Sequence, residues 1–341
     1  MTALVDLPHA AWVQQLGWTL VQFLWQGTLI AAIFAAVRGL IRRRATAEVR
    51  YLLACGTLGV MTLAPVLTFL VRVGVPLPPA WSVPSPDVWH TVLPWLVATW
   101  LTGVVFGAAR FIGQWHATRR LRSLGVRGAP LEWCRRLADL GRRLGIVRPV
   151  RLVVSSLVEF PIVLGWWRPI ILVPIGALTG LPASQVEALL AHELAHIRRL
   201  DYLVNILQGV VETVLFYHPA VWWVSREIRT ERELCCDDLA VAVSGDVLIY
   251  AQALTELESH RPSHTRAVAA TGGSLFDRIG RLLGQAPPVS HALPAPGVAG
   301  TMTLLWLVGL GAVGTHAAPG PGGFALGVAR EGIAAPATIA T

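Results

Sequence analysis

The chain has 341 residues, of which 54% are hydrophobic and only 14% charged, and its mean hydropathy is +0.57. Ordinary soluble domains carry about a quarter charged residues, so the balance argues against a freely soluble enzyme, and the apolar content excludes a disordered chain. All 28 basic residues are arginine, which excludes lysine-dependent catalysis, and although the net charge is +8 the arginines cluster beside apolar runs, pointing to membrane topology and not to direct nucleic-acid binding.

Uncharged runs give the membrane spans. Between Asp6 and Arg38 the only ionisable side chain is His9, and Leu16–Val37 is long enough to cross a bilayer. Tyr51–Val71 and Thr91–Ala109, the latter ending at Arg110, are the second and third. A fourth is expected at Gly297–Thr315 between proline-rich flanks, with a buried helix as its alternative. Orientation follows the arginines. The first loop carries Arg38, Arg42, Arg43, Arg44 and Arg50, and the exit of the third span carries Arg110, Arg119, Arg120, Arg122 and Arg127. The second loop has Arg72 alone and five prolines. The arginine-rich sides are therefore expected in the cytoplasm of a multi-pass protein of the inner or plasma membrane, with both termini outside.

Past the third span, Gln114–Arg143 reads as a basic helical segment. Arg151–Ser155, Phe160–Leu164 and Pro169–Val173 are β-rich, with Gly165–Pro169 as a hairpin turn. Helical periodicity begins at Ser184, where Ser184 and Glu187 match a capping box. Tyr202–Val224 is apolar enough to suggest a fifth span, but Glu212, His218 and Pro219 interrupt it, and a buried helix touching the membrane is expected instead. Pro219 starts and Gly245 ends a further helix. Ser274–Leu283 places Leu275, Phe276, Ile279, Leu282 and Leu283 opposite Asp277, Arg278 and Arg281, as in a short helix lying on the inner membrane surface. Four cysteines at irregular spacing (Cys55, Cys134, Cys235 and Cys236) make no disulfide framework.

The most informative words are Ala191-His192-Glu193-Leu194-Ala195-His196. With 10 His and 12 Glu in the chain, a chance His-Glu-x-x-His is expected roughly 0.01 times. His192 and His196 sit four apart on one helix face, where two imidazoles reach one zinc ion, and Glu193 projects beside them as a base. Two histidines satisfied by hydrogen bonds in a core are the plainer alternative. A third ligand is offered by Glu233 on the Pro219–Gly245 helix, with Asp237, one turn on, orienting a ligand histidine and Asp238 as its substitute. Glu227 and Glu231 read as solvated partners of Arg226, Arg229 and Arg232, and Cys235 and Cys236 as small packing residues. Tyr217, His218 and Tyr202 are candidate oxyanion or substrate contacts, each with a packing or capping role as the alternative. The hairpin around Phe160–Val173 could present an edge strand to an extended peptide.

Glu233-x-x-x-Asp237 after His-Glu-x-x-His resembles the gluzincin metallopeptidases. The longer text is narrower: Phe216-Tyr217-His218-Pro219-Ala220-Val221-Trp222-Trp223, then Glu231-Arg232-Glu233-Leu234-Cys235-Cys236-Asp237, with His192 to Asp201. It is similar to the antirepressor membrane zinc metallopeptidases typified by the Bla and Mec β-lactam receptors, over about residues 10–315. The resemblance implies a mainly α membrane protein: three transmembrane helices in 1–112, a cytoplasmic α+β gluzincin-like metallopeptidase domain in 113–260, a linker with an amphipathic helix in 261–296, a fourth transmembrane helix in 297–315 and a disordered outer tail in 316–341. It also implies zinc, a protein substrate, and loss of a DNA-bound repressor as the outcome. The sensor domain that those receptors carry after the last span is not expected within this sequence, so a different signal or a separate sensor protein is. Rival readings are a housekeeping membrane-protein protease, a scaffold with a vestigial metal site, and an intramembrane protease of the site-2 type, which Arg198, Arg199 and Asp201 beside the motif argue against.

Overall fold

Among the described residues, three helices are long and apolar enough to cross a membrane: α1 (Ala11–Ile41), α2 (Ala47–Gly74) and α3 (Asp87–Arg120). Each contains the uncharged run expected for it. The computed structural model describes residues 11–42, 44–74, 87–122, 124–259 and 273–284. The expected fourth span and the tail lie outside them. At about 1.5 Å per residue, the 34 residues of α3 reach about 51 Å. That exceeds the ~30 Å hydrocarbon core, so one end of α3 stands clear of the lipid tails.

The stretch expected as one basic helix is broken. α3 ends at Arg120, strand β1 (Val126–Gly128) follows, and α4 (Leu131–Arg143) starts after Pro130 at its N-cap. A proline disfavours helical backbone in the residue before it, so the helix must restart there. β2 (Arg151–Ser155), β3 (Ile162–Leu164) and β4 (Ile170–Pro174) complete a sheet of order β1-β2-β4-β3. β2 and β4 are parallel, while β1 and β3 pair antiparallel at the two edges. Gly165, at φ +89°, turns β3 toward β4.

Helices α5 (Ile175–Gly180), α6 (Ala183–Arg198), α7 (Asp201–Val214), α8 (Pro219–Ser244), α9 (Val247–Ser259) and α10 (Gly273–Leu282) follow. The expected capping box does not form. Pro182 is the N-cap of α6, and Glu187 instead pairs with Arg136 of α4. The two largest apolar cores among the described residues lie on either side of α8. One joins α4, the sheet, α6 and α9 through Leu137, Leu140, Ile171, Leu190, Leu194 and Tyr250. The other joins α1 and α2 through Phe23, Phe34, Tyr51 and Met61. α8 enters both: Val221, Val224 and Ile228 fill the membrane-side core, and Ala240 and Val243 fill the other.

Tyr202–Val224 is two helices, not one. α7 runs antiparallel along α3, because glycines let the backbones close. A Cβ at Gly103 would overlap the Phe216 ring, one at Gly107 would press on Thr213, and one at Gly209 would overlap Phe111. The outer face of α7, with Leu207, Val210 and Val214, is exposed. α7 therefore extends the apolar surface of α3.

The expectation of a solvated acidic face on α8 is overturned. Glu227 and Glu231 are 8% and 4% exposed. They pair not with neighbours on their own helix but with arginines from the ends of α1 and α2: Arg38 to Glu227 at 2.7 Å and Arg50 to both oxygens of Glu231 at 2.9 and 3.0 Å. Arg229 goes to Glu212 at 2.6 Å and Arg232 to Gln208 at 3.4 Å, tying α8 to α7. Nor does α10 lie free on a membrane surface. Leu275 and Leu282 pack on the core formed by α4, the sheet, α6 and α9, and Arg278 and Arg281 reach α8.

Breaking one partner of a buried ion pair leaves an uncompensated charge. Arg50→Met is expected to destabilise the protein by about 3 kcal/mol, and the double change Arg50→Met/Glu231→Leu to recover most of that loss. Denaturant unfolding in detergent measures both; a single variant as stable as the parent would contradict the pairing.

Candidate metal centre

α6 supplies both histidines at i, i+4. Their Nε2 atoms face each other at 3.2 Å, and the Glu233 carboxylate of α8 closes the triangle at 3.6 Å from His192 and 3.9 Å from His196. Bonds of about 2.0–2.1 Å at tetrahedral angles put the ligand atoms of one zinc about 3.3–3.4 Å apart. The three donors fit that edge length, with a fourth position left to a reactant.

The far side of each imidazole is held. Asp201 accepts from His196 Nδ1–H at 2.8 Å. His192 Nδ1–H donates to the Tyr250 hydroxyl at 2.8 Å, which in turn donates to Asp237 at 2.6 Å. With Nδ1 carrying the proton in both rings, both Nε2 lone pairs converge on one point. Asp237 is fully buried and receives Arg278 Nε and Nη2 at 2.8 and 2.6 Å. A further Arg278 nitrogen lies 3.6 Å from Glu233.

Asp201 is brought to its histidine by a tight turn. Leu200, between α6 and α7, takes the left-handed conformation at φ 61°, which costs a residue with a Cβ on the order of 1–3 kcal/mol. Arg199 lies over the Tyr51 ring at 4.5 Å and anchors the same corner to α2.

Electrostatics match a cation site. Burial works against charge on His192, but the carboxylates of Asp237 and Glu233 outweigh it and raise its pKa to about 9. Burial also opposes charge on Glu233, and hydrogen bonding with His192, helped by His196 and Arg278, holds it down at about 2. Burial lifts the Glu193 carboxyl above the usual carboxylate range, only partly offset by the two histidines. Glu193 accepts no hydrogen bond among the described residues. Cys236 lies 3.3 Å from His196 Nδ1 and 3.4 Å from Asp201, and burial pushes its thiol well up. As a neutral thiol it packs against the His196–Asp201 bond and is a poor ligand.

The structure thus brings His192, His196, Glu233 and Asp237 together, with Glu193 beside His192 on α6. It does not bring Tyr217, His218 or Tyr202 to them. Tyr217 Oη donates to Leu20 O at 3.4 Å and His218 Nε2 to Leu24 O at 3.1 Å, both on α1, while His218 Nδ1 accepts from Ala220 N. Their polar atoms cap α8 and fasten it to α1. Tyr202 lines a separate cavity beside α3. Asp201, Tyr250 and Arg278 are the residues that the sequence reading did not assign to the site. Asp201 alone had a local signal, five residues beyond His196 and just past the helix end.

Comparison with known proteins agrees with this geometry. The Regulatory protein BlaR1 of Bacillus licheniformis is 36% identical over 83 residues, 24% of this chain and 14% of that protein. The Protease HtpX homolog of the same species is 39% identical over 79 residues, 22% of this chain and 27% of the relative. The Methicillin resistance mecR1 protein of Staphylococcus aureus is 22% identical over 123 residues, 36% of this chain and 21% of the relative. The matches span well under a third of each relative's length. The family profile described as BlaR1 peptidase M56 matches residues 78–279. That is more than half of the 341 residues, and the chain belongs to the BlaR1 peptidase M56 family.

Proposed function

We propose that the protein is a membrane zinc metalloendopeptidase acting in signal transduction, whose cut leads to removal of a transcriptional repressor. The observation that carries the enzymatic part is the convergence of two Nε2 atoms and one carboxylate at zinc spacing, each imidazole fixed from behind. His192, His196 and Glu233 would hold the ion. Bound zinc supplies Lewis-acid polarisation of a scissile carbonyl and makes water acidic enough to lose a proton near neutral pH. Glu193 takes that proton on its carboxylate and returns it to the leaving amine; its raised pKa suits it to both halves of the exchange. Asp201 and the Tyr250–Asp237 relay keep the imidazoles from turning. Glu233 and Asp237, in turn, are held by Arg278. The edge strand β3 supports binding of an extended peptide by backbone pairing.

The regulatory role rests on family membership and on the relatives named Regulatory protein BlaR1 and Methicillin resistance mecR1 protein. The likeness to the Protease HtpX homolog favours a second reading, a protease of damaged membrane proteins. For the orientation, Arg42, Arg44 and the arginines after α3 favour a cytoplasmic metallopeptidase region; Arg38 and Arg50 add less, being bound to α8.

Three outcomes are expected. Purified protein holds about one zinc, and His192→Ala/His196→Ala holds none by metal analysis; undiminished zinc in the double variant would contradict the ligand set. Glu193→Gln keeps its zinc, loses cleavage by about 10²–10⁴-fold, and retains its substrate for identification by mass spectrometry. A trapped repressor supports the signalling reading, and a spread of membrane proteins supports the other. Arg278→Gln binds zinc about tenfold more weakly by chelator competition, as the loss of an outer hydrogen-bond partner does, with partial rescue by Arg278→Lys.

A further inference from the structure

A second cavity, of about 330 Å³, opens beside α3 and contains none of the metal-centre residues. Its walls are Trp115, Thr118, Arg119 and Arg122 from α3 and the segment after it, the β3–β4 turn from Leu164 to Arg168, and Tyr202 and Ile206 of α7. Three arginines and no carboxylate line it. Arg122 is built into the wall: Nη2 donates to Leu164 O at 3.3 Å and Arg168 O at 3.2 Å, and a Cβ at Gly165 would overlap that nitrogen. Its Nε is buried and has no hydrogen-bond partner among the described residues. Arg119 lies over the Trp115 ring at 5.2 Å. Trp166 and Trp167, adjacent at the hairpin turn, are 48% and 72% exposed.

Depth decides what such a cavity meets. α7 packs along residues 103–111 of α3, and the cavity lies where this pair emerges from its apolar stretch. Trp115 follows the apolar stretch of α3 on its arginine-rich side, where amphipathic aromatics collect. Arg119 stands one helical turn, about 6 Å, further along the same helix. Above the cavity the exposed apolar residues Leu207, Val210 and Val214 of α7 and Ile112 of α3 offer a surface for acyl chains. Cationic walls, a tryptophan rim and an apolar face on one side match a single occupant.

We propose that this cavity is a binding site for the headgroup of an anionic phospholipid, its phosphate facing Arg119, Arg122 and Arg168 and its chains lying along α3 and α7. Trp166 and Trp167 then insert at the same level and seat the sheet on the membrane. The bound lipid would tie the edge of the β3–β4 hairpin to α3, and so set the height of the metallopeptidase region over the bilayer. The proposal rests on membrane residence and not on metal chemistry.

Native mass spectrometry of the full chain, released from detergent with phosphatidylglycerol or phosphatidylcholine, tests it. The unmodified protein is expected to retain phosphatidylglycerol preferentially. Arg119→Gln/Arg168→Gln, which changes two exposed side chains, is expected to reduce that preference about tenfold, while Arg135→Gln/Arg142→Gln, an equal charge loss on α4, leaves it unchanged. Trp167→Ala should weaken retention as well. Millimolar inorganic phosphate should not displace the lipid. Equal retention of the two lipids, a preference that survives Arg119→Gln/Arg168→Gln, an equal loss in the α4 variant, or displacement by phosphate would each overturn the proposal. Zinc content, measured in parallel, separates this failure from failure of the metallopeptidase reading.

Discussion

Two buried arginine–glutamate pairs govern the architecture. Glu227 and Glu231 could be tolerated in an apolar environment only with a partner, because an isolated buried carboxylate costs several kcal/mol. The partners are Arg38, near the end of α1, and Arg50, near the start of α2. The loop that joins the first two membrane helices is thereby clamped to α8, within two turns of Glu233. An ion pair of this kind adds little net stability over an apolar core. Its use is in register: sliding α8 by one turn against α1 and α2 would strand one carboxylate and one arginine. The geometry of the candidate metal centre inherits that register, since α8 is continuous from Trp223 in the membrane-side core to Asp237 behind the histidines.

The other half of the centre depends on a local strain. α6 presents two imidazoles, but a helix by itself leaves their rings free to turn. Leu200 in the left-handed region reverses the chain so sharply that Asp201 returns beneath His196. A glycine would relieve the backbone and raise the entropy of the unfolded chain. The leucine has the chain enter α7 directly, where the helix continues down the flank of α3. His192 is fixed differently, through a tyrosine from α9 and an aspartate from α8. The two ligands are thus oriented by separate elements, and only the assembled fold aligns both.

How much of this was legible in the sequence follows from the range of the interactions. The first three spans, β2 and the histidine pair are set by local hydropathy, periodicity or i, i+4 spacing, and each stood out along the chain. Glu233 and Asp237 were legible because one helix turn separates them and the motif resembles known text. Failures came where a long-range partner overrode a local rule. Glu187 had the spacing of a capping box, yet Arg136 of α4 takes it. Glu227 and Glu231 had arginines close by on the same helix, yet Arg229 and Arg232 turn to α7 while α1 and α2 supply the true partners. Arg278 looked like the solvent face of an amphipathic helix. Its destination, a fully buried aspartate 41 positions earlier, leaves no trace in periodicity.

The acidic residues of α8 form a ladder, and its partners come from both sides of the sequence. Arg38 and Arg50 precede the elements of the candidate metal centre and meet Glu227 and Glu231. Arg278 and Arg281 follow it and meet Asp237 and Asp238. Glu233, the proposed ligand on this helix, lies between the two sets. A displacement of α1 and α2 that carried their arginines away would leave buried carboxylates behind, so α8 is constrained to follow them. The same holds for α10 at the other end, where Asp237 has no exposure to water that could replace Arg278. A single helix gripped at both ends transmits position along its axis, because close-packed interiors pass strain on to their neighbours. The centre is therefore coupled more directly to the chain on either side of it than to the sheet beside it.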